Sequence, residues 1–180
     1  VIDPKATIEK FSNYIFDNDI DNLKKIYLEV LGEIDPALDL SVDKRHMANI
    51  YSKTRSYSQT LICGVADGMA MIANNQEIFS KCSFGKIDNV RIASVRELLT
   101  NSGDTKMWAS IADNASSIAQ TAPSEFLRIF ENTLKITDNN PFIILAEESD
   151  GDSFFQKDYM AGFRWALADL AWDKELFSRA

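Results

Sequence analysis

Hydrophobic residues recur along the chain at intervals of three and four, the spacing of one face of an α-helix. In the first such run, "IDPKATIEKFSNYIFDN", Ile8, Phe11 and Ile15 mark the apolar face. Asp3 is placed as the N-cap of this helix and Pro4 at its first position, and both residue types are favoured there. The next run, "DIDNLKKIYLEVLGEI", repeats the scheme and predicts a second helix.

The middle of the chain continues the helical pattern. "VDKRHMANIYSKTRSY", residues 42–57, predicts a helix capped by Ser41. "QTLICGVADGMAMIANN" predicts the most hydrophobic helix of the first half, with Ser58 as its cap. Asp88 is placed at the start of "NVRIASVRELLTN", and two short helices are expected within "DTKMWASIADNASSIAQTA".

The second half is also predicted to be helical. Pro123 opens "PSEFLRIFENTLKI", and "KDYMAGFRWALADLAW" is the last long helix, after which Asp173 is placed as the cap of another that still continues at Ala180. The run "PFIIL" is too short for its period to distinguish helix from strand, and the acidic loop "EESDGDS" follows it. No segment shows the sustained alternation of a half-buried strand, so the predicted fold class is all-α.

Two all-α architectures fit this pattern: an irregular helical bundle, or a short α-solenoid of HEAT/TPR-like helix pairs. "SIAQTAPSEFLRI" and "DLAWDKELFSR" echo each other and place Phe126 and Leu176 about fifty residues apart, near the upper end of helical-repeat periods. A single echo leaves both open. We expect residues 1–180 to form one all-α domain. The absence of an initial Met and the helical run at Ala180 favour a fragment of a larger protein.

Composition narrows the classes of partner. With 46% hydrophobic residues the chain can bury a core, and its net charge of −8 argues against nucleic acid and anionic membranes, which need a dense basic face. No stretch is apolar for long enough to span a bilayer. Two cysteines are too few for a disulfide framework, which favours a reduced, cytoplasmic location. The expected partner is therefore another protein or a flanking domain of the same chain.

The acidic segment 147–152 is the strongest candidate for ligand chemistry. "FIILAEESD" superficially resembles a Walker B strand, but the chain lacks the G-x-x-x-x-G-K-[ST] loop that would hold the phosphates. Its acidic residues also do not follow the EF-hand spacing, so a solvated loop is favoured over a calcium site. We therefore expect no cofactor, metal site or catalytic residue, and keep a small helical enzyme or ligand-binding bundle as the alternative. The acids are Glu147, Glu148, Asp150 and Asp152.

Several single residues have simple structural interpretations. His46, the only histidine, has no second metal ligand at i+4 and is expected at the surface. Cys63 is expected to be a small core residue. Glycine weakens a helix interior, so Gly64, Gly68 and Gly162 are expected where a neighbouring helix approaches closely.

Two groups of residues form a candidate interaction surface. A basic strip interleaved with tyrosines is compatible with an acidic partner, although a solvated helix face is the simpler interpretation. Trp165 and Trp172 are seven residues apart and lie on one side of a helix, either as an aromatic recognition surface or packed in the core. The basic strip consists of Lys44, Arg45, Lys53 and Arg55.

Three stretches share a packing pattern: "EIDPALDL" followed by a helix, "YSQTLICGVADGMAMIA", and "YMAGFRWALADLAWDKEL". With the Ala122–Pro123 and Phe126–Leu127 helix start, they resemble a helical region of large, multidomain bacterial proteins that carry a P-loop (STAND-like) nucleotidase domain elsewhere in the chain. The resemblance runs from about residue 30 to the end and includes no catalytic motif. Its positions are Ser58, Leu61, Gly64, Gly162, Trp165, Ala166, Leu167, Leu170, Ala171 and Trp172.

The resemblance implies a helical scaffold or sensor block beside a nucleotidase domain. Such proteins are similar to signal-transducing nucleotidases, some of which serve in bacterial defence against phage. The expected function is therefore a noncatalytic helical scaffold or interaction module of a larger bacterial cytosolic protein.

Overall fold

The computed structural model describes residues 3–149 and 157–178, and in these residues the fold is all-α. No strand occurs in the described part of the chain, and none of its helices is long and apolar enough to cross a membrane. Five short 3₁₀ helices lie between or beside the α-helices. The α-helices are α1 (Pro4–Phe11), α2 (Asp17–Leu31), α3 (Gln59–Asn74), α4 (Lys86–Leu98), α5 (Thr105–Ile111), α6 (Ala115–Thr121), α7 (Pro123–Leu134), α8 (Pro141–Ser149) and α9 (Tyr159–Leu170).

Helix α6 lies at the centre of the molecule. It packs against α3, α4, α7 and α9, most of which are distant from it in sequence. Ala115, Ile118 and Ala119 are fully buried, and the two alanines let neighbouring helices approach closely. In a solenoid each helix pair contacts only its sequence neighbours. Of the two predicted architectures, the chain therefore adopts the irregular bundle.

An aromatic cluster joins the helices of the second half. The ring of Trp108 from α5 lies 4.8 Å from that of Phe142 in α8 and 5.4 Å from that of Phe163 in α9. Phe130 of α7 meets Trp108 edge to face at 6.0 Å. The indole N–H of Trp108 donates to the carbonyl of Ser102 at 2.7 Å, so burial leaves it no unpaired donor.

Three of the predicted helix starts, at Asp3, Ser58 and Pro123, are confirmed. The hydroxyl of Ser58 accepts from the N–H of Leu61, and the carboxylate of Asp3 accepts from Ala6. Pro123 is the first residue of α7, as predicted. Helix α4 begins at Lys86, two residues before the predicted Asp88, because Gly85 adopts a left-handed conformation with φ of +72° and turns the chain there.

The predicted helix over residues 42–57 is wrong. Only the 3₁₀ helix Val42–Met47 forms, followed by turns in which Ser52 has a φ of +55°. The apolar line that suggested a helix has no surface to pack on, since Ile50 and Tyr51 are exposed. An amphipathic helix owes most of its stability to such packing, so this segment has little to hold it helical.

The structure differs from two further predictions in the second half of the chain. The ambiguous run "PFIIL" belongs to helix α8, which contains Glu147 and Glu148, so these residues lie on a helix rather than in an acidic loop or after a Walker B strand. Asp150 and Asp152 lie outside the described residues. Helix α9 ends at Leu170, and residues 171–178 form turns rather than the predicted further helix, although the Asp173 carboxylate does accept from the N–H of Glu175.

Candidate functional site

Helix α9 presents two tryptophans to solvent. Asp158 caps the helix by accepting from the N–H groups of Met160 at 2.9 Å and Ala161 at 3.1 Å. Trp165 is 69% exposed and Trp172, just beyond the last helical turn, is 89% exposed. The core-packing interpretation of these two tryptophans is therefore wrong. The opposite face of the helix is buried and contains Tyr159, Phe163, Ala166 and Leu170.

Helix α9 is held at short range by Gly162. A Cβ at this position would lie 2.8 Å from the carbonyl carbon of Ala112 and still closer to its oxygen. The predicted close approach is confirmed here, although the neighbouring element is the 3₁₀ helix Ala112–Asn114. The contact fixes which side of α9 faces outward.

The outer side of α9 carries one free charge between its tryptophans. Asp169 is four residues after Trp165 and three before Trp172, and its carboxylate forms no ion pair among the described residues. Arg164, by contrast, pairs with Asp158 at 2.9 Å. We refer to Trp165, Asp169 and Trp172 as the α9 aromatic surface.

The basic strip is not a free surface, because its two arginines bind other elements of the fold. Arg45 forms a two-point ion pair with Glu148 of α8 at 2.7 and 3.3 Å, and its side chain is only 17% exposed. Arg55 donates to the carbonyl of Ser110 at 2.6 Å and lies 3.4 Å from Asp35. The two arginines therefore connect the segment 42–57 to α8 and α5, respectively.

The two lysines of the strip are more exposed. Lys53 pairs with Asp39 at 2.9 Å, and Lys106 pairs with the same carboxylate at 2.7 Å. These two cations lower the pKa of Asp39 to about 2. Lys44 lies at the surface. The four residues thus do not share one helix face, so the strip was wrongly predicted as a continuous surface.

A small polar cavity of about 180 Å³ brings together predicted residues that are far apart in sequence. Arg45 and His46 line it from one side, and Glu148 and Tyr159 from the other. Burial raises the pKa of Tyr159, while the adjacent Arg45 opposes that shift. The Arg45–Glu148 ion pair at this cavity joins the 3₁₀ helix Val42–Met47 to α8.

The other predicted ligand residues give no cluster. Among residues 3–149 and 157–178, no group of three or more His, Cys, Asp or Glu side chains could hold a metal ion. His46 is exposed, as predicted. Cys63 is half-buried rather than a core residue, and it accepts a hydrogen bond from the side-chain amide of Gln59 at 3.3 Å.

Gly64 and Gly68 do not mark a helix contact. A Cβ at either position would meet no atom within 4 Å, so the prediction of a close neighbour is wrong for both. The buried face of α3 instead follows Ile62, Val65, Ala66 and Met69, which turns both glycines away from the core.

A groove between α4 and α7 was missed by the sequence analysis. One part, about 690 Å³ in volume, lies between these helices and the turn that contains Asp173 and Glu175. A second part, about 290 Å³, continues toward the carboxyl end of α4. Arg96 of α4 and Arg128 of α7 line both parts, and we call the whole the arginine groove.

The two arginines of the groove converge on one buried carboxylate. Glu125, whose side chain is 10% exposed, accepts from Nε of Arg96 at 2.7 Å. It also accepts from Nε and Nη2 of Arg128 at 2.9 and 2.8 Å. The hydrogen bonds from Arg128 and Arg96 lower the pKa of Glu125 to about 2. The carboxylate is therefore ionised throughout the neutral range.

Sequence could have indicated part of this arrangement. Glu125 and Arg128 are three apart on a predicted helix, a spacing that brings side chains together. Arg96 is 29 residues from Glu125 and belongs to another helix, so its approach depends on how α4 packs against α7.

The fold and the surface together define the class of protein. It is an irregular α-helical bundle with exposed tryptophans on and just after its last described helix, and with an arginine-lined groove. Comparison with known proteins adds no closer identity, since the chain matches no protein-family model, no curated protein and no solved structure.

Proposed function

We propose that the chain is a noncatalytic helical interaction module of a larger bacterial cytosolic protein, and that it binds a protein partner through the α9 aromatic surface. The observation that supports this is the exposure of Trp165 on α9, whose other face is packed, and of Trp172 in the turn directly after that helix. Tryptophan is among the residues most enriched at binding hot spots. Two exposed tryptophans, one on α9 and one in the turn after it, therefore favour a binding surface.

The charge on this surface specifies the partner's chemistry. Asp169 stands between the tryptophans without an ion-pair partner in the described residues, and the chain as a whole has a net charge of −8. A complementary surface would place a lysine or arginine against Asp169, between apolar pockets for the indoles. The same cation could lie over an indole ring, which is the preferred aromatic partner of a cation.

No observation favours the alternative of an enzyme or metal-binding bundle built on residues 147–152. Glu148 is committed to Arg45. The sequence resemblance implies a nucleotidase domain beside the proposed module. Whether the partner is that domain or a separate protein, the α9 aromatic surface is the proposed binding site.

The test begins with the full-length protein and its Trp165→Ala/Trp172→Ala variant as baits. Proteins captured by the wild type are then purified, and their affinities for the wild type and for the variant are measured by calorimetry. Each hot-spot truncation costs about 2 kcal/mol or more, so we expect the double variant to bind at least about a hundredfold more weakly. Asp169→Lys should weaken binding as well, and more so at low salt.

Phe84→Ala is the matched control, because Phe84 is also a fully exposed aromatic residue but lies in the loop before α4. It should leave the affinity unchanged. A purified partner that binds the wild type and the tryptophan variant equally well would contradict the proposal. So would a partner that tolerates Asp169→Lys and presents no cation to this surface.

A further inference from the structure

We infer that the arginine groove is a second binding site, and that it takes an extended, acidic peptide segment whose carboxylates contact Arg96 and Arg128. The inference goes beyond the α9 aromatic surface and rests on different residues. Either site can therefore fail its test without the other.

The first support is the charge of the arginine pair. Two guanidinium groups share the single carboxylate of Glu125, so the cluster keeps one net positive charge in a chain that is acidic overall. Among the described residues, Arg96 donates to Glu125 only through Nε. The terminal amino groups of Arg96 are therefore available to a ligand. The side chains of Arg96 and Arg128 are 60% and 50% exposed, so these donors are accessible from the groove.

The second support is the positioning of the arginines. A free arginine loses considerable side-chain entropy when it binds an anion. Here that entropy is already reduced, because the buried carboxylate of Glu125 holds both side chains from beneath. Guanidinium groups form paired hydrogen bonds with carboxylates, and such charge-assisted bonds are among the strongest in proteins.

The third support is the shape of the groove. Both of its parts are open to solvent and both are lined by Arg96 and Arg128, which suits an extended chain better than a compact ion. Apolar side chains flank the pair: Ile92 and Leu176 on one side, Leu99 and Ile129 on the other.

The acidic groups of the groove determine the orientation of the peptide. Asp173 and Glu175 line only the larger part, and Arg91, which also lines it, pairs at 2.7 Å with Asp88, a residue outside the groove lining. In the smaller part the only charged lining residues are Arg96 and Arg128. The acidic residues of the peptide therefore lie over the pair and toward Leu99, and neutral or basic residues lie toward Asp173.

The test uses an acetylated and amidated triglutamate peptide, with triglutamine and inorganic phosphate as comparison probes. Nuclear magnetic resonance follows the Nε–Hε signals of the arginines during each titration. We expect a saturable shift of the Arg96 and Arg128 signals with triglutamate, and a much weaker response to triglutamine. Arg96→Gln/Arg128→Gln should weaken triglutamate binding at least about tenfold, since hydrogen bonds to charged groups are worth that much.

The matched control is Lys10→Gln/Lys25→Gln, which removes the same charge from exposed residues that do not line the groove. It should leave the affinity for triglutamate unchanged. Arg96→Gln alone keeps Glu125 paired with Arg128, so we expect this single variant to fold. Circular dichroism checks that it does.

Four results would overturn the inference. The first is no saturable shift with triglutamate, and the second is equal binding of triglutamine. The third is an equal loss in the lysine control, which would mean that net charge alone attracts the peptide. A response to phosphate without one to triglutamate would also reject the peptide as the ligand.

Discussion

Gly162 and Gly64 show that the same residue type has opposite consequences in two helices of this bundle. The backbone at Gly162 lies against the carbonyl of Ala112, with no room for a methyl group. The backbone at Gly64 faces open space, where a Cβ would meet nothing within 4 Å. In the first case glycine permits packing, and in the second it only weakens the helix.

We therefore expect Gly162→Ala to destabilise the protein by roughly 1–3 kcal/mol, because either α9 or the 3₁₀ helix beneath it must move. Gly64→Ala should instead stabilise it by up to about 1 kcal/mol, the helix propensity gained. Urea denaturation followed by circular dichroism measures both. Equal effects of the two substitutions would contradict the packing described at Gly162.

At the scale of elements, one buried carboxylate bridges α4 and α7. Glu125 lies in the first turn of α7, and Arg96 reaches it from α4. Since folding lowers the pKa of Glu125 from 4.5 to about 2, the charged form stabilises the folded protein. This contribution is present in full above the ordinary glutamate pKa and is lost as the pH falls toward 2.

Glu125→Gln should cost about 1 kcal/mol at neutral pH, a modest value because both arginines are at least half exposed. The difference in unfolding free energy between the wild type and the variant should shrink as the pH falls from 4.5 to about 2. Urea denaturation at a series of pH values measures it. A difference that stays constant over that range would show that Glu125 acts through packing rather than charge.

Some elements could be predicted from local signals, and others could not. Ser58 and Pro123 indicate the starts of α3 and α7, because capping depends on a few neighbouring residues. The start of α8 had a similar signal that was not recognised: Asn140 accepts from the N–H of Phe142, and Pro141 follows it. The helix predicted over residues 42–57 does not form, because Arg45 and Arg55 bind distant elements of the fold. No local sequence pattern reveals those contacts.

At the scale of the whole molecule, the three tryptophans divide into one buried and two exposed. Trp108 is fully buried in the aromatic cluster, where four helices meet, whereas Trp165 and Trp172 face solvent. A single fluorophore at Trp108 would therefore report on the core of the second half.

Trp165→Phe/Trp172→Phe should change the free energy of unfolding by no more than about 0.5 kcal/mol, because both side chains are exposed. The remaining emission should be blue-shifted and resist quenching by acrylamide, and both the blue shift and the protection should be lost together with the helical signal on denaturation. Quenching as strong as in the unfolded chain would mean that Trp108 is not buried.

The sequence alone determined the all-α class, most helix positions and the absence of a recognisable nucleotide-binding motif, because periodicity, capping and motif spacing are local properties. It also predicted Trp165 and Trp172 as a pair on one side of a helix, but neither that the helix ends at Leu170 nor which of its sides faces solvent. Tertiary structure decided that, through the contact of Gly162 with Ala112. It likewise turned the basic strip into internal ion pairs and joined Arg96, Arg128 and Glu125 into a groove, since only packing brings residues from different helices together.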